Sequence, residues 1–230
     1  MTIQAVAFDV GHTLVRYANP LNWKALYVPA LTEAALRCGA ALSEDRLGRA
    51  VEILTKYNTR EHPREAELPS EVIFGEILAA WGLPLDGVEA MQSAFFAFFQ
   101  TGAECYGDAA ETLRALRAKG LRLGALTDVA YGMGRALALR DLREIEGLLD
   151  AVLTSVDVGY RKPHRAGFLR LARELGVAPD RMMYVGDEQK DIAGANALGI
   201  ASVLIRREGD PPDWGQAFTV RSLREIGRLV

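Results

Sequence analysis

Ile3-Gln4-Ala5-Val6-Ala7-Phe8-Asp9 is a short apolar run closed by a carboxylate, and comparable runs return along the chain at Leu121–Leu126, Ala151–Leu153, Met182–Val185 and Ala201–Ile205. None alternates strictly between apolar and polar residues. Near-continuous apolar character belongs to strands covered on both faces, as in a parallel sheet. Between the third and fourth runs, Phe168, Leu171, Ala172 and Leu175 repeat at helical spacing, and Gly176 follows as a stop. Thr112–Lys119 likewise reads as a helix ended by Gly120, directly before the second run. Strand, helix and strand joined by short connections imply right-handed parallel crossovers. The expected fold class is α/β, with a Rossmann-like three-layer core around a parallel sheet.

One stretch breaks this rhythm. From about Val15 to Cys105 there is no strand-like run, only amphipathic segments. Leu47, Ala50, Val51 and Leu54 share one helical stripe, Val72, Ile77 and Leu78 mark a second helix, and Met91 to Phe99 a third. Asn19-Pro20, Cys38-Gly39, His62-Pro63 and Gly82-Leu83-Pro84 supply the turns between them. The expected organisation is a core of residues 1–14 and 106–230 with an inserted all-helical cap of residues 15–105. Phe95, Phe96, Phe98 and Phe99 are expected to fill a helix–helix core, an exposed contact patch being the weaker alternative.

Composition narrows the function. Of 230 residues, half are hydrophobic and a quarter charged, enough for a sizeable core and against wholesale disorder. Lys and Arg number 27 against 30 Asp and Glu, a net charge of −3, without the basic surplus of a general nucleic-acid binder. The uncharged stretch Ala90–Ala103 is too short to span a bilayer. Met1–Val10 shows no basic leader and meets Asp9 before a secretory-type apolar stretch develops. Cys38 and Cys105 form neither a disulfide framework nor a CxxC metal pair. The expectation is a cytoplasmic protein, monomer or homodimer, with neither nucleic acid nor membrane as partner.

The strand ends carry the chemistry. The first strand finishes in Asp9, the second in Thr127-Asp128 and the fourth in Gly186-Asp187. In an open parallel sheet, ligands bind outside the carboxyl ends of the strands. A single aspartate there is usually a cap or turn former. Three polar strand ends on one rim weaken that ordinary explanation. Asp9 and Asp187 would repel each other unless a cation lay between them, and hard oxygen ligands in small number suit Mg²⁺, which pairs with substrate phosphate. Asp191, one helical turn past Asp187, can orient that shell. Lys162, in Gly159-Tyr160-Arg161-Lys162-Pro163, offsets the charge of a carboxylate and a phosphoryl group, and Thr127 offers a hydroxyl. Together they suit a carboxylate nucleophile in an electrostatic clamp for phosphoryl transfer.

These residues resemble the haloacid dehalogenase superfamily. Val6-Ala7-Phe8-Asp9-Val10-Gly11-His12-Thr13-Leu14 is similar to its first motif, Leu126-Thr127-Asp128 to the second, Gly159–Pro163 to the third, and Val185-Gly186-Asp187-Glu188-Gln189-Lys190-Asp191 to the fourth. The helical insert sits where that family places its cap. The resemblance implies that Asp9 forms an aspartyl-phosphate, that Thr127, Asp128 and Lys162 surround the phosphoryl group, and that Asp9, the Gly11 carbonyl, Asp187 and Asp191 make the Mg²⁺ site.

The departures shape the functional expectation. Phosphatases of the family usually carry an acid–base aspartate two positions after the nucleophile, and here that position is Gly11. General acid–base catalysis is typically worth about 10²- to 10⁴-fold. His12 is the neighbouring candidate proton donor, with an ordinary loop histidine as the competing reading. Asp128 stands where the family often has Asn, and adds negative charge near the phosphate site unless it points away to cap the next helix. His164-Arg165 replaces an Asp-Pro-like pair that is structural. The expected function is a Mg²⁺-dependent phosphatase of a small phosphorylated metabolite. The alternatives are a metal-independent haloacid dehalogenase, a phosphonatase with Lys56 as Schiff-base amine, or a catalytically weakened phosphate-binding module. Arg16, Tyr17, Arg60, Arg64 and Arg161 are the polar candidates for substrate contact.

Overall fold

In chain order the elements are β1 (Ala5–Phe8), β2 (Val15–Arg16), α1 (Tyr27–Arg37), α2 (Glu44–Lys56), α3 (Ser70–Ala80), α4 (Val88–Phe99), β3 (Glu104–Cys105), α5 (Ala109–Ala118), β4 (Arg122–Thr127), α6 (Arg135–Arg140), β5 (Ala151–Thr154), α7 (Ser155–Val158), α8 (Arg165–Leu175), β6 (Met182–Gly186), α9 (Gln189–Asn196), β7 (Ala201–Ile205) and β8 (Phe218–Val220). The structure, a computed structural model, describes residues 2–21 and 23–230. They divide into two units: residues 2–16, 104–128 and 141–230 in one, residues 17–21, 23–103 and 129–140 in the other.

The first unit is built on a parallel six-stranded sheet in the order β5-β4-β1-β6-β7-β8. The apolar runs read from the sequence become five of its strands, with β1, β6, β7 and β4 beyond Arg122 largely buried and β5 half-buried at Ala151 and Val152, because helices lie against the sheet. β8 has no such signature: Phe218 and Thr219 are exposed, as an edge strand allows. Leu126, Leu153, Phe168, Leu171, Leu175 and Tyr184 pack with Ala5 and Ala7 in one core cluster. α8 supplies Phe168, Leu171 and Leu175 from a single stripe and stops at Gly176, whose φ of 70° is left-handed and suits a residue without Cβ. β1 pairs with β4 and β6 so that Phe8 lies opposite both Ala125 and Val185. That register brings Asp9, Thr127 and Asp187, each one or two residues further on, to the same rim.

The second unit is helical. α2 begins at Ser43, whose side chain accepts from the Arg46 amide, with Glu44 and Asp45 in its first turn. The core joins α1, α2, α3 and α4 through Tyr27, Leu31, Leu54, Phe74, Ile77, Trp81 and Phe95. Phe95, Phe96 and Phe99 are fully buried, and the Phe95 and Phe96 rings meet edge to face, 5.1 Å apart. On α3 the buried face is Ile73, Phe74, Ile77 and Leu78, while Val72 turns out to be 42% exposed. Residues 129–140 also pack here: Val129, Tyr131, Met133 and Leu137 are buried in this core, and the Gln100 side chain donates to the Leu137 carbonyl at 2.7 Å. That segment follows β4 without any change of composition, which is why its membership of the helical unit is not readable from the sequence.

Candidate active site

Three carboxylates and one ammonium meet at the carboxyl rim of the sheet. Asp9 follows β1, its amide donating to the Val185 carbonyl at 2.8 Å, so the backbone of β6 fixes its position. Lys162 Nζ donates to Asp9 Oδ1 and to Asp191 Oδ1, each at 2.6 Å, and lies 3.2 Å from the Tyr184 hydroxyl. Asp9, Asp187 and Asp191 present oxygens within 4.8 Å of one another. Asp9, Lys162 and Asp191 are buried and Asp187 half-buried. The sequence separations are large, yet sheet register and one lysine stem collect all four groups.

Each side chain is positioned by its neighbours. Lys162 precedes a cis peptide bond to Pro163. Its amide donates to Asp128 Oδ1 at 2.9 Å, and Asp128 Oδ2 pairs with Lys190 Nζ at 3.1 Å. The Tyr184 hydroxyl donates to the Leu126 carbonyl at 2.8 Å, tying the centre of β6 to β4 beneath Lys162. Asp191 Oδ2 accepts from the Glu188 amide at 3.0 Å as the N-terminal capping box of α9. A Cβ on Gly186 would stand 2.5 Å from the Asp191 Cβ, so glycine is what lets the Asp191 side chain lie against the end of β6. Thr13 Oγ1 donates to Asp187 Oδ1 at 3.3 Å, and Thr127 Oγ1 contacts the Asp128 carbonyl at 3.4 Å.

Charge balance dominates the electrostatics. Burial works against the Lys162 ammonium, but the carboxylates of Asp191 and Asp9 outweigh it and hold its pKa well above the usual lysine range. Burial, reinforced by the charges of Asp9 and Asp191, pushes Asp187 up to about 8. Burial, only partly offset by Lys162, lifts Asp191 to about 6. Asp128 moves the other way: despite burial, Lys162, Lys190 and Arg161 keep it below the ordinary range. The cluster thus carries more negative charge than its one ammonium can neutralise, and its donors are hard carboxylate oxygens. Both features fit a small divalent cation.

The sequence-derived candidates fall into groups. Asp9, Lys162, Asp187 and Asp191 are brought together, with Thr127 at the end of β4. Gly11 is half-buried and bridges to Val15. His12 is exposed and takes a left-handed φ of 55°. Asp128, expected around the phosphate, has its carboxylate directed to the Lys162 amide and to Lys190. Arg161 is buried, and Arg16 forms a surface ion pair with Glu104. Tyr17, Arg60 and Arg64 belong to the helical unit, where Arg64 donates to the Tyr57 carbonyl at 2.7 Å. Lys56 also lies there, paired with Glu76 at 3.0 Å. That hydrogen bond raises its pKa, the opposite of what a neutral Schiff-base amine needs. Thr13 and Lys190 stand inside the quoted motifs without a role there, because their partners exist only after folding, and Tyr184 is hidden inside an apolar run.

Residues 3–199 match the family described as haloacid dehalogenase-like hydrolase. The chain belongs to that family. Among relatives of this haloacid dehalogenase-like hydrolase is a glyceraldehyde 3-phosphate phosphatase of Methanopyrus kandleri, 33% identical over 89% of the chain and 84% of the relative. A phosphoglycolate phosphatase of Shigella boydii is 36% identical over 87% of the chain and 80% of its own length. A 2-haloacid dehalogenase structure from Pseudomonas syringae pv. Tomato covers 99% of the chain, and 98% of its own chain is matched, at 23% identity and a TM-score of 0.71, a likeness of fold. The hydrolase is accordingly of a kind with phosphoric monoester hydrolases among its relatives. Among the described residues, no helix is long and apolar enough to cross a membrane.

Proposed function

We propose that this hydrolase is a Mg²⁺-dependent phosphatase of small phosphorylated metabolites, with Asp9 as nucleophile. The observation that carries the reading is the buried Lys162 ammonium shared between Asp9 and Asp191 beside a carboxylate, Asp187, that burial and the charges of Asp9 and Asp191 push up to about 8. The two phosphatase relatives are named for glyceraldehyde 3-phosphate and phosphoglycolate, which supports a small phosphate ester as the substrate class.

Lys162 holds Asp9 Oδ1, leaving Oδ2 to attack phosphorus as the ester P–O bond breaks. Thr127 Oγ1 and the Lys162 ammonium take the phosphoryl oxygens, where preorganised donors stabilise developing charge. The leaving oxygen collects its proton from solvent, because Gly11 provides no carboxyl group. Water then attacks the phosphorus of the aspartyl-phosphate, releasing inorganic phosphate and restoring Asp9. Asp9, Asp187 and the Gly11 carbonyl would hold Mg²⁺, which when bound would supply charge neutralisation and Lewis-acid polarisation. Asp191, expected among the ligands, accepts from Lys162 and from the Glu188 amide, so besides facing the metal site with Asp9 and Asp187 it positions Lys162. Asp128 similarly fixes the Lys162 backbone.

The test is turnover of p-nitrophenyl phosphate with Mg²⁺ or EDTA, beside Asp9→Asn. Hydrolysis that requires both Mg²⁺ and Asp9 supports the reading. Halide release from a 2-haloacid, unaffected by EDTA and without phosphatase activity, would replace it by the dehalogenase alternative.

A further inference from the structure

Behind the loop that follows Asp9 lies an arginine outside every motif quoted above. Arg207, just past β7, forms a bidentate pair with buried Asp108, Nη1 to Oδ2 at 3.0 Å and Nη2 to Oδ1 at 3.1 Å. Nη2 also donates to the Thr13 carbonyl at 3.1 Å. The guanidinium lies 3.6 Å over the Tyr106 ring, and the Tyr106 amide donates to the Leu14 carbonyl at 2.9 Å. Asp108 is itself anchored by the Ser222 hydroxyl at 2.7 Å and the Leu223 amide at 3.0 Å. One planar cation therefore ties the β7 exit, the start of α5 and the chain's C-terminal turn to the backbone of the Asp9 loop. From Thr13 the path continues, since its hydroxyl donates to Asp187.

We propose that Arg207 is a positioning residue that fixes the loop of residues 10–15 and, through Thr13, orients Asp187. Geometry makes arginine specific to this role. A rigid fork can grip both Asp108 oxygens while one nitrogen still reaches a carbonyl, whereas a lysine ammonium is a point donor on a flexible stem. The loop needs an external brace. His12 sits in a left-handed conformation that non-glycine residues seldom adopt, and the loop's own backbone bonds, His12 amide to the Val15 carbonyl and the Leu14 and Val15 amides to the Val10 carbonyl, do not reach the elements around it. Outer partners of metal-ligating carboxylates typically change metal affinity by about 10- to 100-fold when removed. The Asp187 part of this inference rests on the proposed Mg²⁺ site. The loop part does not.

The experiment compares wild type with R207K, T13V and the double variant, using R207M/D108N as a second variant that leaves no unpaired buried charge. Two readouts are taken on the purified full chain: amide hydrogen exchange of residues 12, 14 and 15 without metal, and the Mg²⁺ concentration that half-saturates the thermal-stability shift. R207K is expected to exchange about 10-fold faster at those amides, with exchange in α8 unchanged, and to need about 10-fold more Mg²⁺. T13V is expected to need about 10-fold more Mg²⁺ as well, and the double variant no more than the larger single effect, because both act on Asp187. Unchanged loop exchange in R207K, or multiplicative Mg²⁺ effects in the double variant, would overturn the proposal. Faster loop exchange in R207K with no Mg²⁺ response in wild type would overturn the metal-site reading and the Asp187 link, while the loop brace stands.

Discussion

The sheet unit and the helical unit bury different things. In the sheet unit, Asp9, Asp108, Arg161, Lys162 and Asp191 are all buried, each expensive to desolvate unless paired. In the helical unit the largest buried groups are Trp81, Tyr27, Phe74, Phe95, Phe96 and Phe99; among its described residues Asn58, Ser70 and Gln92 are buried and uncharged, and buried charge is confined to the loop before α3, where the Glu67 side chain, 2% exposed, lies 3.8 Å from Arg64. Folding alone gives a chain reason to bury phenylalanines but little reason to collect three carboxylates within 4.8 Å. The first unit is built at some cost around charge, and the second around packing. Substitutions should separate them: in the sheet unit they should strike chemistry first, in the helical unit stability first.

The largest effect is expected from Asp9→Asn, which keeps size and hydrogen bonding but removes the carboxylate proposed as nucleophile. Turnover of p-nitrophenyl phosphate should fall about 10⁴-fold or more, while the protein stays folded. Lys162→Met comes next. It should lower kcat about 10³-fold, in the range seen when a preorganised charge donor is lost, and destabilise by about 3–5 kcal/mol because Asp9 and Asp191 lose their shared counter-ion. In the helical unit, Phe95→Ala should cost a similar 3–5 kcal/mol in urea unfolding, yet leave kcat of the folded fraction within about threefold. A 10²-fold loss of kcat from Phe95→Ala would break the contrast.

A gain of function sharpens it further. Gly11→Asp places a carboxyl group where a leaving oxygen lacks a proton source. Alkyl phosphate turnover should rise by about 10²-fold, the lower end of general-acid catalysis, and aryl phosphate turnover should change little, since phenolates leave unassisted. Equal gains on both classes would show that proton supply does not limit the wild-type reaction.

How much of this was legible depends on what each residue must do locally. Asp9 and Asp187 stand out because each ends an apolar run, and a parallel sheet sends such ends to one rim whatever the loops do. Lys162 was readable only as one of a set with the strand-end carboxylates and Thr127, since a lysine before a proline carries no signal by itself. Asp128 was ambiguous, since no local pattern says which way a carboxylate turns; folded, it faces the Lys162 amide and Lys190. Tyr184 and Arg207 were illegible, one disguised as strand and the other paired to a residue 99 positions away. Residues 129–140 join the helical unit by packing and by hydrogen bonds with Gln92 and Gln100, and short amphipathic stretches carry no label for the core they enter. Sequence pattern reports local periodicity and breaks in it, so side-chain networks between distant elements escape it.

The smallest expected effect is thermodynamic, and it tests the surplus charge directly. Without divalent cations Asp187 and Asp191 are pushed up to about 8 and about 6, whereas an unfolded aspartate titrates near 4. The native state therefore holds protons that the unfolded state has already released. The contribution of these groups is fully present below about pH 4 and is lost as pH rises through 6 and 8. In EDTA, Asp187→Asn, which carries no charge to penalise, should gain stability relative to wild type as pH increases from 5 to 9, read as the difference in Tm between the two proteins. Mg²⁺ should reverse the order at pH 8. At a hundredfold excess over Kd it stabilises wild type by about 2.7 kcal/mol, roughly 5–10 °C in a chain of this size, and should leave Asp187→Asn much less affected. The same scan on Phe95→Ala should run parallel to wild type, because no group in that packing titrates between pH 5 and 9. A difference between Asp187→Asn and wild type that is flat with pH would mean that the charge at the rim is already balanced, and the physical case for a cation there would go with it.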